Sequence, residues 1–278
     1  MAMQTIALTL GAGGARGLAH IHVIRAFEEL GVRPVAVSGA SIGAIIGAAY
    51  CAGMTADHLE DHIKSVLADP LGLLRDVFRA GPDSLKAFFK DGGPRIGQFN
   101  LEGILEAVLP DDIPPTFEEL DIPLKISATD FYAGRATVLE KGNLWFAMAA
   151  SSVIPGVFLP VERDGRFYID GNATDPCPMD LVQDLADRVV AVDVSGGITG
   201  DATKRPSMFE ASYAAGQMMQ QSIVRSKASQ CPNTVLLRPP VAAFFALDFH
   251  KAKEVLAQTA PLKEEAKRVI DAAQRNAS

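Results

Sequence analysis

Ser41 stands in Gly39-Ala40-Ser41-Ile42-Gly43, a G-x-S-x-G pattern between two different local sequences. Before it runs Pro34-Val35-Ala36-Val37-Ser38, short and apolar with β-branched residues, which predicts a buried strand. After it runs Ala44-Ile45-Ile46-Gly47-Ala48-Ala49-Tyr50, small and apolar, which predicts a buried helix. Strand, sharp turn, helix is the setting in which G-x-S-x-G presents a nucleophilic serine. Gly39 and Gly43 remove the Cβ atoms that would block so tight a turn. A serine opening a helix also meets unpaired N–H groups and a dipole that favour developing negative charge. The same residues fit a plain serine N-cap in a β-α turn, so the remaining chain has to discriminate.

A second glycine turn lies one unit earlier. Ile6-Ala7-Leu8-Thr9-Leu10 reads as a first strand, and Gly11-Ala12-Gly13-Gly14-Ala15-Arg16-Gly17 follows at once. Leu18, Ile21, Ile24, Phe27 and Leu30 then recur every third residue and predict a helix stopped at Gly31. A dinucleotide fingerprint fails here, because the third glycine falls on Arg16 and the next strand ends without an acidic residue. No G-K-[ST] follows, so a Walker loop is excluded. What remains is an oxyanion site, with Gly13 and Gly14 aiming N–H groups at a carbonyl oxygen, or a glycine turn without a ligand.

The third element is Asp170-Gly171. It ends a hairpin turned at Asp164-Gly165, whose return strand is Phe167-Tyr168-Ile169. Aspartate and glycine make turns. A carboxylate at a sheet rim among apolar neighbours is also partly desolvated, which raises its pKa and makes it a better base.

Other titratable groups point less clearly to chemistry. His20 and His22 lie off the apolar stripe of the first helix and read as surface or packed histidines. His58 and His62, with Glu60 and Asp61, read as a polar helix face, because the H-E-x-x-H order of a zinc site is missing. Cys51, Cys177 and Cys231 are odd in number and widely spaced, as reduced thiols of a cytoplasmic protein would be. Net charge is −7 over 278 residues, which argues against nucleic acid as a partner. No apolar run reaches the ~20 residues that span a bilayer, and the N-terminus lacks a basic signal region. The expectation is a soluble, unexported protein.

The elements that must position these groups alternate between strand and helix. Leu124–Asp130, residues 136–140 and the apolar run 188–194 read as strands, as does Thr234–Arg238. Residues 145–152 read as a helix. Residues 206–230 form a long helix whose Met208, Phe209, Met218, Met219 and Ile223 are expected to pack as adaptable core. Residues 251–277 read as one closing helix. Residues 69–118, broken by prolines and glycines, carry short amphipathic faces such as Leu71, Leu74, Val77 and Phe78, then Leu85, Phe88 and Phe89. They read as a packed helical insertion, with a mobile cover over a greasy pocket as the rival. The fold class predicted is α/β, a mostly parallel central sheet sandwiched by helices, with both glycine turns and Asp170 emerging at carboxyl ends of strands.

The three motifs, in this order and approximate spacing, resemble the patatin-like phospholipases, most closely the bacterial branch related to neuropathy target esterase. Ala128-Thr129-Asp130, the stretch Ala150 to Phe158 and Leu247-Asp248-Phe249-His250 agree as secondary landmarks. The resemblance covers nearly the whole chain. It implies a single catalytic domain over residues 1–278, with a helical insertion at about 55–118. It also implies hydrolysis of lipid acyl esters by a serine–aspartate dyad on an α/β sandwich, with no metal or organic cofactor. Carried over by motif, Ser41 is the nucleophile, Asp170 the base, Gly13 and Gly14 the oxyanion donors. Arg16, Gly39, Gly43 and Gly171 support the loops or bind substrate. The partner implied is a lipid or acyl-ester substrate, with transient contact to a membrane surface and no nucleic acid; nothing points to an oligomeric state. Ala12, Asn172 and Pro176 depart from the family pattern, the last two in the loop that holds Asp170. Rival readings are an α/β-hydrolase triad drawing on Asp193 and His250, an acyltransferase, and a lipid-binding module without turnover.

Overall fold

The computed structural model describes residues 4–68, 101–198 and 202–275. Its centre is an eight-stranded mixed sheet of β1 (Ile6–Leu10), β2 (Val37–Ala40), β3 (Leu124–Asp130), β4 (Arg135–Leu139), β5 (Val161–Arg163), β6 (Arg166–Ile169), β7 (Arg188–Val192) and β8 (Thr234–Leu237). The order is β5-β6-β3-β2-β1-β7-β8, with β4 also on β3. The run β3-β2-β1-β7-β8 is parallel throughout, and β4, β5 and β6 pair antiparallel.

Alternation along the strands sorts the core into two faces. Ile6, Leu8 and Leu10 of β1, with Val190 and Val192 of β7, join the larger cluster. Ala7, Val189 and Ala191 point to a smaller cluster on the other side. The large face carries α1 (His20–Glu29), α2 (Ile42–Cys51), α3 (Ala56–Ala68), α4 (Leu101–Val108), α5 (Leu144–Ser152), α7 (Ala252–Thr259) and α8 (Leu262–Arg275). Phe27 of α1 is fully buried there, a burial worth about 1.5–3 kcal/mol. The small face is covered by Cys177, Met179 and Val182 and by Val224 of α6 (Met208–Gln230). The sheet is thus flanked by helices, as the periodicity predicts, but unequally.

Several expectations are corrected. The first helix begins as a 3-10 turn over Gly14–Ala19 and becomes α-helical only at His20. Of the two readings given for His20 and His22, surface or packed, the structure shows the packed one, with both buried. The closing helix is two helices, α7 and α8, because Pro261 between them has no N–H to continue the ladder. The methionines of α6 are not core: Met208, Met218 and Met219 are exposed, and α6 buries little besides Gln217 and Val224. Asp170 follows the return strand of an antiparallel hairpin, β5-β6, as the Asp164-Gly165 turn predicts. Within the insertion expected at about 55–118, α3 and α4 are seen, whereas the amphipathic faces at Leu71–Phe78 and Leu85–Phe89 lie outside the described residues.

Candidate active site

Ser41 sits on a strained turn. Its backbone has φ 55° and ψ −126°, a region that β-carbon sterics disfavour and that persists only where the surroundings enforce it. Here the surroundings are backbone. A Cβ on Gly43 would lie 2.0 Å from the Leu10 carbonyl oxygen, and one on Gly39 would lie 2.5 Å from that of Gly43. The two glycines therefore let β1, β2 and α2 meet with no side chain between them. The Ser41 carbonyl accepts from Ala44 N and Ile45 N, which starts α2. The Ser41 N–H donates to Ser151 Oγ at 2.8 Å, and that hydroxyl donates to the Ser127 carbonyl at 2.7 Å.

Asp170 reaches Ser41 through a property of β3. Residues Ile126–Asp130 of β3 pair with β4 along one edge. The other edge is shared: β2 runs up it and ends with Ala40 opposite Ser127, while β6 runs down it and ends with Ile169 opposite Thr129. Two antiparallel chains thus terminate head to head beside Ala128, and their next residues are Ser41 and Asp170. Ser41 Oγ donates to Asp170 Oδ2 at 2.8 Å. Asp170 is held at every polar atom: its N–H donates to Val153 O at 3.0 Å, its carbonyl accepts from Thr129 Oγ1 at 2.9 Å, and Oδ1 accepts from Asn172 N at 2.8 Å. Gly171 packs directly on the Ser127 carbonyl. Both side chains are buried, Ser41 at 6% and Asp170 at 4% exposure. Burial pushes the Asp170 carboxyl up to about 6, against the opposing pull of the Asn172 N–H and the Ser41 hydroxyl.

The glycine turn is defined by where its amides go. Gly11 N donates to Val192 O at 3.0 Å, Ala12 N to Pro176 O at 2.7 Å and Ala15 N to Ala246 O at 2.7 Å. Among the described residues, Gly13 N and Gly14 N donate to nothing, and Gly14 lines the cavity that Ser41 faces. Gly14 has φ +59°, and a Cβ there would lie 2.1 Å from Ala246 O, so only glycine fits. Arg16 does not line the cavity. It is 3% exposed, with Nε donating to Gly13 O at 3.1 Å and Nη1 to Ser195 O at 2.6 Å. It staples the loop to the exit of β7. His20 adds a contact to the Gly11 carbonyl at 2.8 Å, and burial lowers its pKa to about 4, so the ring is neutral. The departures from the family pattern are absorbed by the backbone: Ala12 and Pro176 bond to each other, and Asn172 serves Asp170 with its N–H.

Ser41 opens into an apolar cavity of about 390 Å³. Its walls come from α2 (Ile42, Ile45, Ile46), from α3 (Ile63, Val66, Leu67), from α4, and from Val157 and Phe158. An acyl chain is the ligand that such a wall suits. His62, expected on a polar face, lines this cavity but is turned to the Val108 carbonyl at 2.8 Å, tying α3 to α4. His58 and His250 are exposed. Asp193 is engaged by Ser195 N and Arg238, and its carboxylate oxygens bond to no histidine ring. The components of a Ser-Asp-His triad are therefore not assembled.

Ser151 and Val153 bond to the site and Ser152 adjoins it; the sequence marks them only through the landmark stretch Ala150 to Phe158, with no role read for any of them. Likewise Ala246, which receives Ala15 N, sits in a loop without a distinguishing pattern.

Comparison with known proteins agrees with these motifs. The profile of the family described as patatin-like phospholipase matches residues 8–182. An uncharacterized NTE family protein of Mycobacterium tuberculosis is 38% identical over 198 residues, 71% of this chain and 51% of that protein. Human patatin-like phospholipase domain-containing protein 6 is 29% identical over 300 residues, covering 91% of this chain and 19% of that protein. Lysophospholipase NTE1 of Coccidioides immitis is 27% identical over 277 residues, again 91% of this chain and 17% of that one. The chain thus spans about half the length of its mycobacterial relative and about a fifth of the human one. Among solved structures, VipD from Legionella pneumophila superposes with a TM-score of 0.45 at 14% identity, over 95% of this chain and 67% of that one. With its family profile spanning both Ser41 and Asp170, the chain belongs to the patatin-like phospholipase family.

Proposed function

We propose that this chain is a serine lipid acyl hydrolase that cleaves carboxylic esters of phospholipids or lysophospholipids through an acyl-serine intermediate. The observation that carries it is the 2.8 Å hydrogen bond from Ser41 Oγ to a buried Asp170 at the end of an apolar cavity. Asp170 takes the Ser41 proton as Oγ attacks the ester carbonyl. The carbonyl oxygen becomes negative and is met by the N–H groups of Gly13 and Gly14. The C–O bond to the alcohol then breaks, and the proton on Asp170 passes to the leaving oxygen. Water repeats the sequence: it gives its proton to Asp170, attacks the acyl-serine and releases the fatty acid as Ser41 is reprotonated. An ordinary aspartate, with pKa about 3.9, is a weak base for a hydroxyl. Desolvation, which raises Asp170 to about 6, brings it closer to working pH.

No metal or organic cofactor takes part in this scheme. The residues 1–278 act as one catalytic domain, with the insertion at about 55–118 supplying α3 and α4 as cavity wall. Leu247 lines the cavity, and both it and Leu159 are exposed, so the rim suits brief contact with a lipid surface. Three buried free cysteines are consistent with action in the cytoplasm.

A fluorophosphonate probe and a p-nitrophenyl acyl ester test the reading together. The wild type is expected to be labelled on Ser41 and to turn the ester over. The Ser41→Ala variant should show neither. Ester turnover at the wild-type rate in purified Ser41→Ala would refute the proposal. Acyl exchange to an added thiol or alcohol outrunning hydrolysis would recast the enzyme as an acyltransferase.

A further inference from the structure

One short segment braces both the base and the glycine loop. Asp170 opens it, with its carbonyl on Thr129 Oγ1. Thr174 Oγ1 bonds the same Thr129 hydroxyl at 2.8 Å. Asp175 N donates to Gly171 O at 2.8 Å and closes the turn over Gly171–Ala173. Pro176 ends the segment, and its carbonyl accepts Ala12 N, the amide next to Gly13. A shift of residues 170–176 therefore displaces the Asp170 carboxylate at one end and the glycine loop at the other.

Asp175 carries the second carboxylate of this segment and is 2% exposed. Its Oδ2 lies 2.7 Å from Lys227 Nζ, which also bonds Asp180 Oδ1. Among the described residues, Lys227 is the cation paired with Asp175. A buried carboxylate without a cation is strongly unfavourable, so the pair restricts where Asp175 can sit. Burial pushes the Asp175 carboxyl up to about 6, against the pull of the Lys227 charge. Burial opposes the Lys227 charge too, but the two carboxylates hold that ammonium above its usual value. Both partners are thus charged at neutral pH. Lys227 comes from α6, three residues beyond Val224, by which that helix joins the small core cluster. The rest of its hold on the sheet is largely polar: Gln217 and Gln221 donate to the carbonyls of Ser195 and Gly196.

We infer that Lys227 is a positioning residue for the reaction: its ion pair with Asp175 fixes residues 170–176, and so sets the Asp170 carboxylate against Ser41 and the Gly13-Gly14 turn against the ester. It touches neither the substrate nor the reacting atoms. The inference rests on the acyl-hydrolase reading above. A pair that served stability alone could be replaced by two apolar side chains with little loss. A positioning pair could not, because its directional contact goes with it.

The test uses the full chain and p-nitrophenyl octanoate. It measures kcat, KM and Tm for wild type, Lys227→Arg, Lys227→Met, Ser41→Ala and the double variant Asp175→Ala with Lys227→Met. Lys227→Met leaves the Asp175 charge unpaired, so its Tm should fall. The double variant removes both charges at once and should keep a Tm near that of the wild type. Its kcat should nonetheless fall by about 100-fold, the scale of a misplacement of about 1 Å in the reacting groups. Its KM should stay nearly constant, because α2, α3 and α4 and not α6 wall the cavity. Lys227→Arg, which keeps the charge, should recover most of the rate. A double variant whose kcat falls less than about fivefold would overturn the inference. So would a double variant whose Tm falls along with its rate, a raised KM at constant kcat, or a Lys227→Arg no faster than the double variant. Ser41→Ala separates the two readings. If it turns over at the wild-type rate, the acyl-hydrolase reading fails and this inference with it. If Ser41→Ala is dead and the double variant is fully active, this inference alone fails.

Discussion

The two strand ends that meet beside Ala128 are built by different physics. The Ser41 end is a matter of volume. Backbone from β1, β2 and α2 closes around Gly39 and Gly43 at distances no Cβ could occupy, and Ser41 is forced to φ 55°. The Asp170 end is a matter of polarity. Its chain is hung on hydrogen bonds from Thr129 and Asn172 and on its own N–H donating to the Val153 carbonyl, and its carboxylate is kept out of water. A nucleophile needs a fixed position, and steric closure supplies it. A base needs a shifted proton affinity, and desolvation supplies that. Each end should therefore fail in its own way.

Steric failure is expected to be the larger for stability. Gly43→Ala puts a methyl 2.0 Å from the Leu10 carbonyl and should cost about 4 kcal/mol or more, at the upper end of single-substitution effects. Chemical denaturation would check it, and a loss below about 1 kcal/mol would contradict the steric account. At the polar end the sign reverses. With a folded-state pKa raised from 3.8 to about 6, Asp170 binds more protons folded than unfolded between those values. It therefore loses stability for the fold as pH rises through that window. Asp170→Asn removes the charge and can still accept from Asn172 N and bond Ser41. The variant should be more stable than wild type at pH 7, by about 2–3 kcal/mol, and the difference should vanish near pH 4. Unfolding curves at both pH values measure this, and the difference between the two proteins cancels the similarly raised Asp175.

Smaller effects refine the comparison. Ile45→Trp fills the cavity beside the serine end without touching the dyad. It should cut kcat/KM for long-chain esters about 10-fold, the scale of a few methylenes in an apolar pocket, and leave acetate or butyrate esters nearly unaffected. An equal loss on all chain lengths would detach the cavity from acyl binding. His250→Ala is expected to change neither rate nor stability beyond about 0.5 kcal/mol, as for a surface site. A loss of turnover there would restore the triad reading.

Legibility in the sequence follows the same division. The serine end is readable because steric closure demands glycine, and glycine at fixed spacing is visible: Gly11 to Gly17 and Gly39 to Gly43 mark the turns by residue type alone. Asp170-Gly171 is readable as a turn or as a partly desolvated carboxylate at a sheet rim, and the choice between them comes from resemblance to a family. The residues that hold it, Thr129, Asn172 and Val153, use common side chains or backbone atoms, and although Thr129 and Val153 fall in landmark stretches, no role is readable for them. Head-to-head termination on β3 is not readable, because it depends on which edge two short strands share, and the alternation of each strand is silent on that. The parallel sheet is legible from apolar runs such as Val189–Val192. The burial of α6 is misread, because methionine at helical spacing suggests core, yet Met208 and Met219 face solvent. Pro261 is a visible helix stop that the charge pattern of the closing segment obscures.

The most direct test of the central claim, that Asp170 is the base for Ser41, is the pH dependence of kcat/KM for wild type and Asp170→Asn on one p-nitrophenyl ester. Wild-type activity should rise with pH along a limb of apparent pKa about 6, the value set by burial of the carboxyl. Asp170→Asn should fall by about 10⁴-fold, as for loss of a partner in a hydrolytic constellation, and its residual rate should lack that limb. An Asp170→Asn variant that kept wild-type turnover, or that kept the same limb, would contradict the dyad.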